Sequence, residues 1–350
     1  MRGVARPLRI EVAGAWYHVM NRGHRGGALF RDDEDRRRFL GTVAELPERF
    51  GLEVHAFVLM DNHYHLLVRT TEANLGHAMR WLNVTYAVKF NWAHRCHGTV
   101  FQGRFKSVII QEESKAVEVA RYIHLNPVRI GGLGLSKSDQ RKARVLGCEN
   151  PGEELVKRRL QVLREHAWSS WRVYAGLEQN LGWLETGVIG RACGGRSRTE
   201  RMQALRLFTE QPIRQGILES PWEGLVGGAV LGEKAYAQSL LSGRKVNEDE
   251  QTPVRRIKPR MSWKQIVAAA EKIKGDAWRH WAERHGDWGR DATMYVAVRH
   301  GRMRLAEVVR EVGVKYQAAA QGVKRFGVLL ATDPERQRFV AKLQKQLSTF

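Results

Sequence analysis

Two β-rich segments separated by only two residues constrain the fold of this chain more than any other feature. The first, LEVHAFVLM, ends at residue 60, and the second, HYHLLVRT, begins at residue 63. Asp61 and Asn62 between them are turn-forming residues, and so short a connection joins antiparallel neighbours. The two segments therefore predict a tight β-hairpin.

The segments around this hairpin alternate between strand and helix patterns. AWYHVMNRG predicts a strand, and RDDEDRRRFLGTVAELPERFG predicts a helix because acids open it and apolar residues follow at helical spacing. A second helix is predicted from about Asn74 to His94, then a strand in FKSVIIQ, then a helix capped by Ser114 that runs to Pro127. The order β-α-β-β-α-β-α predicts an α+β fold of the split βαβ kind, an antiparallel sheet with helices packed on one face.

A chain of 350 residues is long for one core, so more than one domain is expected. The sequence after Pro127 is rich in glycine and charge, which marks a boundary, and a second basic break lies at 251–260. The predicted organisation is an α+β domain at 1–130, a linker and extension at 131–185, a helical connector at 186–260, and a further helical domain at 261–350.

The charge of the chain points to a polyanionic partner. Its 58 Lys and Arg outnumber 37 Asp and Glu, giving a net charge of +21, and the last hundred residues carry 21 of the former against 9 of the latter. Nucleic acid is favoured over a membrane, because the start lacks the apolar region of a signal peptide and no 18 apolar residues run together. A cytoplasmic, soluble protein is therefore expected. The three cysteines include no Cys-x-x-Cys pair and are expected to be reduced thiols.

The clearest candidate site is DNHYHLLV in the second strand of the hairpin. Side chains alternate between the faces of a strand, so His63 and His65 point together to one exposed face while Tyr64 points to the apolar side. Neutral imidazoles bind divalent metals, and this pair could occupy adjacent coordination positions. Two hydrogen-bonded surface histidines would give the same pattern.

A second candidate site lies in ARYIHLNPVR. Pro127 disfavours a helical residue before it, so a helix should end near Asn126. Tyr122 and Asn126, four residues apart, then share one helix face, where a phenol and an amide oxygen could serve as nucleophile and metal ligand. Taken alone, Tyr122 is better explained as an ordinary packed or surface aromatic residue.

Five motifs together resemble a known family. Between about residues 8 and 185 the chain carries, in this order, WYHVMNRG, HAFVLMDNHYHLLV, FQGRFKS, RYIHLNPVR and WSSWRVYAG. The chain resembles the single-tyrosine HUH transposases, specifically the REP-associated tyrosine transposases of bacteria. The resemblance implies that residues 1–130 form a ferredoxin-like HUH catalytic domain.

The resemblance also implies roles for particular residues. His63 and His65 match the metal-binding pair, Tyr122 the nucleophile, and Asn126 the third ligand, where insertion-sequence relatives have Gln. The implied activity is cleavage and rejoining of single-stranded DNA through a 5′-phosphotyrosine, on hairpins of repetitive extragenic palindromes. Two imidazoles and an amide oxygen suit Mg²⁺ or Mn²⁺ better than Zn²⁺. His124 is expected to be structural.

Basic and polar residues supply candidate DNA contacts. In the first domain these are Arg22, Arg104 and Lys106, which could equally be an exposed loop and strand edge. RLAEVVREVGVKYQAAAQGVKRFG has helix-turn-helix spacing and resembles the domain that ends bacterial replication initiators. Its predicted outward residues are Lys315, Gln317, Gln321, Lys324 and Arg325, whereas Tyr316 is expected to pack. An αα-hairpin with a solvated basic face is the alternative.

Two other functions are compatible with part of this pattern. A DNA-binding regulator without catalysis would use the scaffold and the helix-turn-helix alone, but would have no need of Tyr122 and the histidine pair. A metal-dependent nuclease would use water as nucleophile and form no covalent intermediate. The oligomeric state stays open.

Overall fold

The computed structural model describes residues 10–146, 151–216, 220–241, 261–301 and 303–347. The chain divides into two compact units, Met1–Ile257 and Lys258–Phe350. The predicted basic break at 251–260 and Cys148 lie outside the described residues, whereas Cys96 and Cys193 are free thiols. Within the described part of the chain, no helix has the length and apolar character needed to cross a bilayer.

The first unit is built on a six-stranded sheet in the order β2-β3-β1-β4-β6-β5. The strands are β1 (Trp16–Arg22), β2 (Leu52–Met60), β3 (His63–Thr70), β4 (Lys106–Ile110), β5 (Leu225–Val226) and β6 (Val230–Leu231). The first four pair antiparallel in the order of a ferredoxin-like, split βαβ fold. The predicted hairpin is confirmed, since Met60 pairs with His63 across a two-residue turn.

Helices follow these strands in the predicted order. They are α1 (Asp33–Val43), α2 (Leu46–Phe50), α3 (Leu75–Ala93), α4 (Glu113–His124), α5 (Lys137–Leu146), α6 (Glu153–Glu165), α7 (Trp171–Tyr174), α8 (Gly187–Ala192), α9 (Arg198–Gln215) and α10 (Lys234–Ser239). α1 begins where the Asp32 carboxylate accepts a hydrogen bond from the backbone N–H of Asp35 at 2.8 Å. The bounds of α3 agree with the predicted helix from Asn74 to His94.

The side chain of Tyr64 shows which face α1 and α3 cover. Its ring lies 4.8 Å from that of Phe39 in α1, and its hydroxyl donates to Asn83 Oδ1 in α3 at 2.9 Å. The two helices of the split βαβ unit therefore share one face, as predicted. α4 lies on the opposite face, where Tyr122 contacts His65, so the prediction of a single helical face does not hold for α4.

The start of α4 differs from the prediction. The helix begins at Glu113 after an extended Glu112, whose side chain makes no capping hydrogen bond within the described part of the chain. Ser114 lies inside the first turn, and its hydroxyl donates to the Glu112 carboxylate at 3.1 Å. The predicted Ser114 cap is therefore wrong by two residues.

The sheet also departs from an all-antiparallel prediction. β6 pairs in parallel with β4, with Val230 beside Ile109, and β5 returns antiparallel to β6. Gly227 and Gly228 turn this short strand pair with φ values of 62° and 75°, which glycine adopts without a Cβ clash. Part of the region predicted to be a helical connector is thus a β-hairpin.

The segment WSSWRVYAG extends the edge of β2. The backbone N–H of Leu59 donates to Trp168 O at 2.9 Å, and that of Ser170 donates to Phe57 O at 3.0 Å. The Tyr174 hydroxyl donates to His55 O at 2.8 Å. These bonds satisfy backbone groups on an edge strand that would otherwise be unpaired. Buried residues of this stretch belong to the same core as the sheet.

The second unit is helical and has its own core around Trp263, Trp281 and Phe326. Its helices are α11 (Trp263–Lys274), α12 (Trp278–Trp281), α13 (Gly289–Arg299), α14 (Leu305–Val312), α15 (Tyr316–Leu330) and α16 (Pro334–Leu347). α14 ends at Gly313, whose φ of 75° allows the chain to turn into α15.

Candidate active site

The sheet register places the two histidines of β3 on one face with two residues of β1. His65 lies opposite Met20, and His63 lies opposite Arg22. Residues directly opposite each other in an antiparallel pair project to the same face. The face predicted for the histidine pair therefore also carries the end of β1.

This face is more enclosed than the sequence predicted. His65 is 4% exposed, because α4 packs over it, whereas His63 near the strand start is partly exposed. The rings of His63 and His65 lie 5.1 Å apart and are nearly perpendicular. The prediction that both point to an exposed face is wrong for His65, which alternation alone could not show.

Hydrogen bonds orient both imidazoles. His63 Nδ1 lies 2.7 Å from Asn62 Oδ1, an atom that can only accept, so Nδ1 donates and Nε2 keeps its lone pair. His65 Nδ1 shares a hydrogen bond with His18 Nε2 at 2.8 Å. His18 thus holds His65 as a carboxylate or carbonyl holds many metal-binding histidines.

Sequence reasoning missed His18. It lies in β1, 4% exposed, within the motif WYHVMNRG, and its ring stacks on that of His65 with centroids 5.0 Å apart. Its position two residues before Met20 places it on the histidine face. The pairing of β1 with β3 had to be known before this could be read from the sequence.

The three imidazoles are held in the neutral form. Burial lowers the pKa of His18 from 6.5 to about 3. Burial, aided by the positive charge of Arg22, lowers the pKa of His63 to about 4. Burial also holds the pKa of His65 well below its usual value. Neutral imidazoles keep the lone pairs that a metal ion or a hydrogen-bond donor requires.

Tyr122 approaches the histidines from α4. Its ring lies 5.9 Å from the ring of His65 and 6.1 Å from that of His18, edge to face in both cases. His124, two residues later, is buried on another side of the helix, where its Nε2 lies 2.9 Å from Ser170 Oγ. The expectation that His124 is structural agrees with this placement.

Asn126 follows the last turn of α4. Its Nδ2 donates to Tyr122 O at 2.9 Å and to Ile123 O at 3.4 Å, so the side chain caps the carbonyl end of the helix. The amide nitrogen is committed to the helix, which leaves Oδ1 as the atom that could bind a cation.

Residues 11–126 match the family described as IS200-like transposases. The matched range runs through β1, β2, β3 and β4 to the end of α4 and includes His63, His65 and Tyr122. Over this domain, the chain is similar to the IS200-like transposases. The resemblance seen in the ordered motifs is thereby confirmed.

A solved structure described as a REP-associated tyrosine transposase bound to a REP hairpin is 15% identical to this chain, with a TM-score of 0.36. The alignment covers 52% of this chain and 89% of that one. A search of curated proteins gives no match.

The candidate donor atoms of this domain are chemically suited to a divalent cation. His63 and His65 would each offer Nε2, because their Nδ1 atoms are engaged, and Asn126 would offer Oδ1. Two neutral nitrogens and one amide oxygen leave further coordination positions for phosphate and water. The predicted ligand set is therefore chemically consistent with its surroundings.

A different group has the spacing of a metal site in the same domain. Ligand atoms of Asp32, Asp35 and His94 lie within 4.8 Å of one another. Asp32 caps α1, and Asp35 accepts hydrogen bonds from His94 Nε2, at 2.7 Å, and from Arg38. The carboxylate oxygens of Asp32 and Asp35 are therefore already engaged in hydrogen bonds around the first turn of α1. We infer that this cluster has a structural role.

The predicted basic contacts of the domain are exposed. Arg22 ends β1 opposite His63, and Lys106 begins β4 opposite Met20, so both belong to the histidine face. Arg104 precedes β4 and lies in a loop rather than on the strand edge considered for it. Phe105, between these two basic residues, is 3% exposed and packs in the core, so it is not available to stack on a base.

Two residues beyond the family match contact the ring of Tyr122. The guanidinium of Arg129 lies 5.0 Å from its centroid, and the indole of Trp222 lies 5.2 Å away, edge to face. Trp222 also lies 4.8 Å from the ring of His18. Trp222 therefore brings a segment outside residues 1–130, where the site is expected, against two of the residues on the histidine face. The pattern LVGGAVL after Trp222 was a hairpin signal that could have directed attention there.

In the second unit, α15 exposes one polar face. The exposed residues are Lys315, just before the helix, and Gln317, Gln321, Lys324 and Arg325 within it. Arg325 forms an ion pair with Asp291 of α13 at 2.6 Å. Tyr316 is 56% exposed, so the expectation that it packs is wrong.

Proposed function

We propose that this protein cuts and rejoins single-stranded DNA with Tyr122 as the covalent nucleophile. The observation that carries the proposal is the approach of Tyr122 to His65, with ring centroids 5.9 Å apart, in a domain that is similar to the IS200-like transposases. Residues from a hairpin and from a helix after β4 meet on one face. A binding-only protein has no physical need for this arrangement.

The proposed reaction is a transesterification. The Tyr122 phenol oxygen attacks the scissile phosphorus, an O–P bond forms, and the bond from phosphorus to the 3′ oxygen breaks. The phenol proton passes to solvent, and the leaving 3′ oxygen takes up a proton. The 5′ phosphate stays on Tyr122 until a 3′ hydroxyl attacks in reverse. Bond energy is retained, so no ATP is needed.

His63, His65 and Asn126 are the proposed ligands of Mg²⁺ or Mn²⁺. When bound, the cation neutralises charge on the non-bridging phosphate oxygens. His18 keeps His65 oriented through their 2.8 Å hydrogen bond. Arg22 and Lys106 on the same face, and Arg104 beside it, would hold the neighbouring phosphates and position the strand.

The proposed substrate is a hairpin of single-stranded DNA, such as a repetitive extragenic palindrome. The ordered motifs resemble transposases of such elements, and the chain carries a net charge of +21. A folded strand offers both a duplex stem and an unpaired flank. The flank is the part that a single tyrosine can reach without melting a duplex.

We further propose that α14 and α15 act as a helix-turn-helix. Recognition helices contact base edges with residues near their N-terminus. The N-terminal part of α15 and the residue before it expose four polar side chains, those of Lys315, Gln317, Gln321 and Lys324. Because Arg325 forms an ion pair with Asp291, it should contribute less to phosphate binding than the lysines of this surface.

The test is incubation of the full-length protein with single-stranded hairpin oligonucleotides and Mn²⁺, followed by a denaturing gel. We expect a covalent protein–DNA band that Tyr122→Phe abolishes while DNA affinity and thermal stability stay unchanged. Mass spectrometry should place the nucleotide on the peptide with ARYIHLNPVR. Cleavage without an adduct would favour a nuclease with water as nucleophile, and binding without cleavage would favour a regulator.

A further inference from the structure

The nucleophile of the proposed reaction is partly enclosed by a segment that follows it by about a hundred residues. Trp222 lies in a short 3-10 helix, Pro221–Gly224, immediately before β5. Its indole meets the Tyr122 ring at 82° with centroids 5.2 Å apart. Edge-to-face pairs at this separation are favourable and directional.

Trp222 also touches the histidine cluster. Its ring lies 4.8 Å from that of His18, which in turn shares a hydrogen bond with His65. One side chain therefore contacts both the nucleophile and the residue that orients a proposed metal ligand. Arg129 contacts Tyr122 as well, with its guanidinium 5.0 Å from the ring centroid.

The backbone that carries Trp222 is fixed to the sheet. The N–H of Ile109 donates to Ala229 O at 2.9 Å, and that of Gln111 donates to Leu231 O at 3.0 Å. The N–H of Glu233 donates to Gln111 Oε1 at 2.6 Å. The hairpin of β5 and β6 is thus an extension of the catalytic sheet, and its anchorage to β4 sets where the indole lies.

From these contacts we infer that Trp222 is a positioning residue for Tyr122. The indole holds the phenol ring in the orientation from which its oxygen meets the scissile phosphorus, so a segment outside residues 11–126 completes the active site. The inference rests on the proposed function of Tyr122. Because Trp222 acts through Tyr122, its loss should slow bond formation more than it weakens DNA binding.

The experiment compares the full-length wild type with Trp222→Ala, Trp222→Phe and the control Trp92→Ala. Trp92 belongs to the same unit, is 84% exposed on α3, and tests the general loss of an aromatic side chain. Adduct formation is measured in a single turnover with a hairpin oligonucleotide and Mn²⁺, and DNA affinity is measured separately. 3-Fluorotyrosine at position 122 reports the surroundings of the ring by ¹⁹F NMR without DNA or metal.

We expect Trp222→Ala to slow adduct formation by ~10- to 100-fold, the effect of misplacing a reacting group by about 1 Å. Its DNA affinity should stay within ~2-fold of wild type, because affinity comes from many dispersed cations. Trp222→Phe should recover most of the rate, and Trp92→Ala should match wild type. The ¹⁹F resonance should shift in Trp222→Ala and not in the control.

Several results would overturn the inference. One is a wild-type rate of adduct formation in Trp222→Ala. Another is a loss of DNA affinity in Trp222→Ala equal to its loss of rate, which would indicate that Trp222 stacks on a base. The third is a rate in Trp222→Phe no higher than that of Trp222→Ala. If Trp222→Ala unfolds early in thermal denaturation, Trp222→Leu replaces it with the same expectations. A wild type that forms no adduct would instead reject the proposed function, while the ¹⁹F shift would still test the packing.

Discussion

The residue that most changes the interpretation of the histidine pair is His18. A lone His-x-His on a strand has no fixed tautomer, and each ring could bind through either nitrogen. Here Asn62 engages Nδ1 of His63 and His18 engages Nδ1 of His65, so both Nε2 atoms are left for a ligand. Hydrogen bonds from neighbouring residues thus fix the orientation of both imidazole rings.

This orientation leads to a prediction for the pair itself. His63→Ala or His65→Ala should lower Mn²⁺-dependent cleavage by roughly 10²-fold or more, because each removes a proposed ligand and the charge neutralisation that depends on it. DNA affinity should change little. The measurements are single-turnover cleavage and, separately, Mn²⁺ affinity. His77→Ala, an exposed histidine on α3, is the control. Undiminished cleavage by either variant in excess chelator would contradict a metal role.

A buried histidine away from the site predicts how stability depends on pH. His55 in β2 is fully buried against Trp16, and its Nδ1 has no hydrogen-bond partner among the residues that the structure describes. Burial, the largest cause, lowers its pKa below 6.5, while Glu53 opposes the shift. Below pH 6.5 the unfolded chain therefore binds a proton that the folded chain resists, so the unfolding free energy falls as the pH falls.

The expected slope for one such proton is up to about 1.4 kcal/mol per pH unit. Urea denaturation at pH 7.5, 6.5 and 5.5 should show the loss of stability, and His55→Phe, which keeps a ring against Trp16, should reduce the slope. His77→Phe, exposed on α3, is the matched control and should leave the slope unchanged. An identical slope in His55→Phe and wild type would show that His55 does not contribute to the pH dependence.

Among the helices and strands, local patterns predicted most of the elements from β1 to α4. Alternation in HYHLLVRT placed Tyr64 and His65 on opposite faces, and the helical spacing in α3 gave its bounds. Whether a face is covered depends on contacts distant in sequence. The burial of His65 comes from α4, and the register of β1 that brings in His18 is a tertiary property.

The hairpin of β5 and β6 was missed for a different reason. Each strand has two residues, too few to show alternation, and the paired glycines at 227 and 228 were the only strong turn signal. Pairing with β4 stabilises what the segment alone would not form. Trp222 could therefore not be assigned to the site from its sequence neighbours.

Substitutions on the exposed face of α15 should distinguish base recognition from phosphate binding. Gln317→Ala should relax discrimination between DNA sequences, by about 1–3 kcal/mol if the amide binds a base edge. Lys324→Ala should weaken binding to all sequences by a similar factor, because a phosphate contact carries no base information. Competition binding with several hairpins measures both. Gln337→Ala, exposed in α16, is the control. Equal effects of Gln317→Ala on every sequence would contradict base recognition by α15.

At the scale of the whole molecule, chemistry and charge are unevenly divided. The proposed catalytic residues lie in the unit Met1–Ile257, whereas the last hundred residues carry 21 Lys and Arg against 9 Asp and Glu. Affinity for DNA arises largely from counterion release, which scales with the number of phosphates neutralised. The second unit should therefore contribute more to affinity than to bond breaking.

Removal of residues 261–350 tests this division. The truncated protein keeps His63, His65, Tyr122 and Trp222, so we expect it to form the covalent adduct on a short single-stranded substrate. Its affinity for a full hairpin should fall. Affinity of the intact chain should drop steeply between about 50 and 200 mM salt, and truncation should make the log–log slope shallower by about 0.7–0.9 for each phosphate that the second unit neutralises. Circular dichroism checks that the first unit stays folded. A folded truncation that forms no adduct, or an unchanged salt slope, would show that catalysis and DNA binding are not divided between the two units.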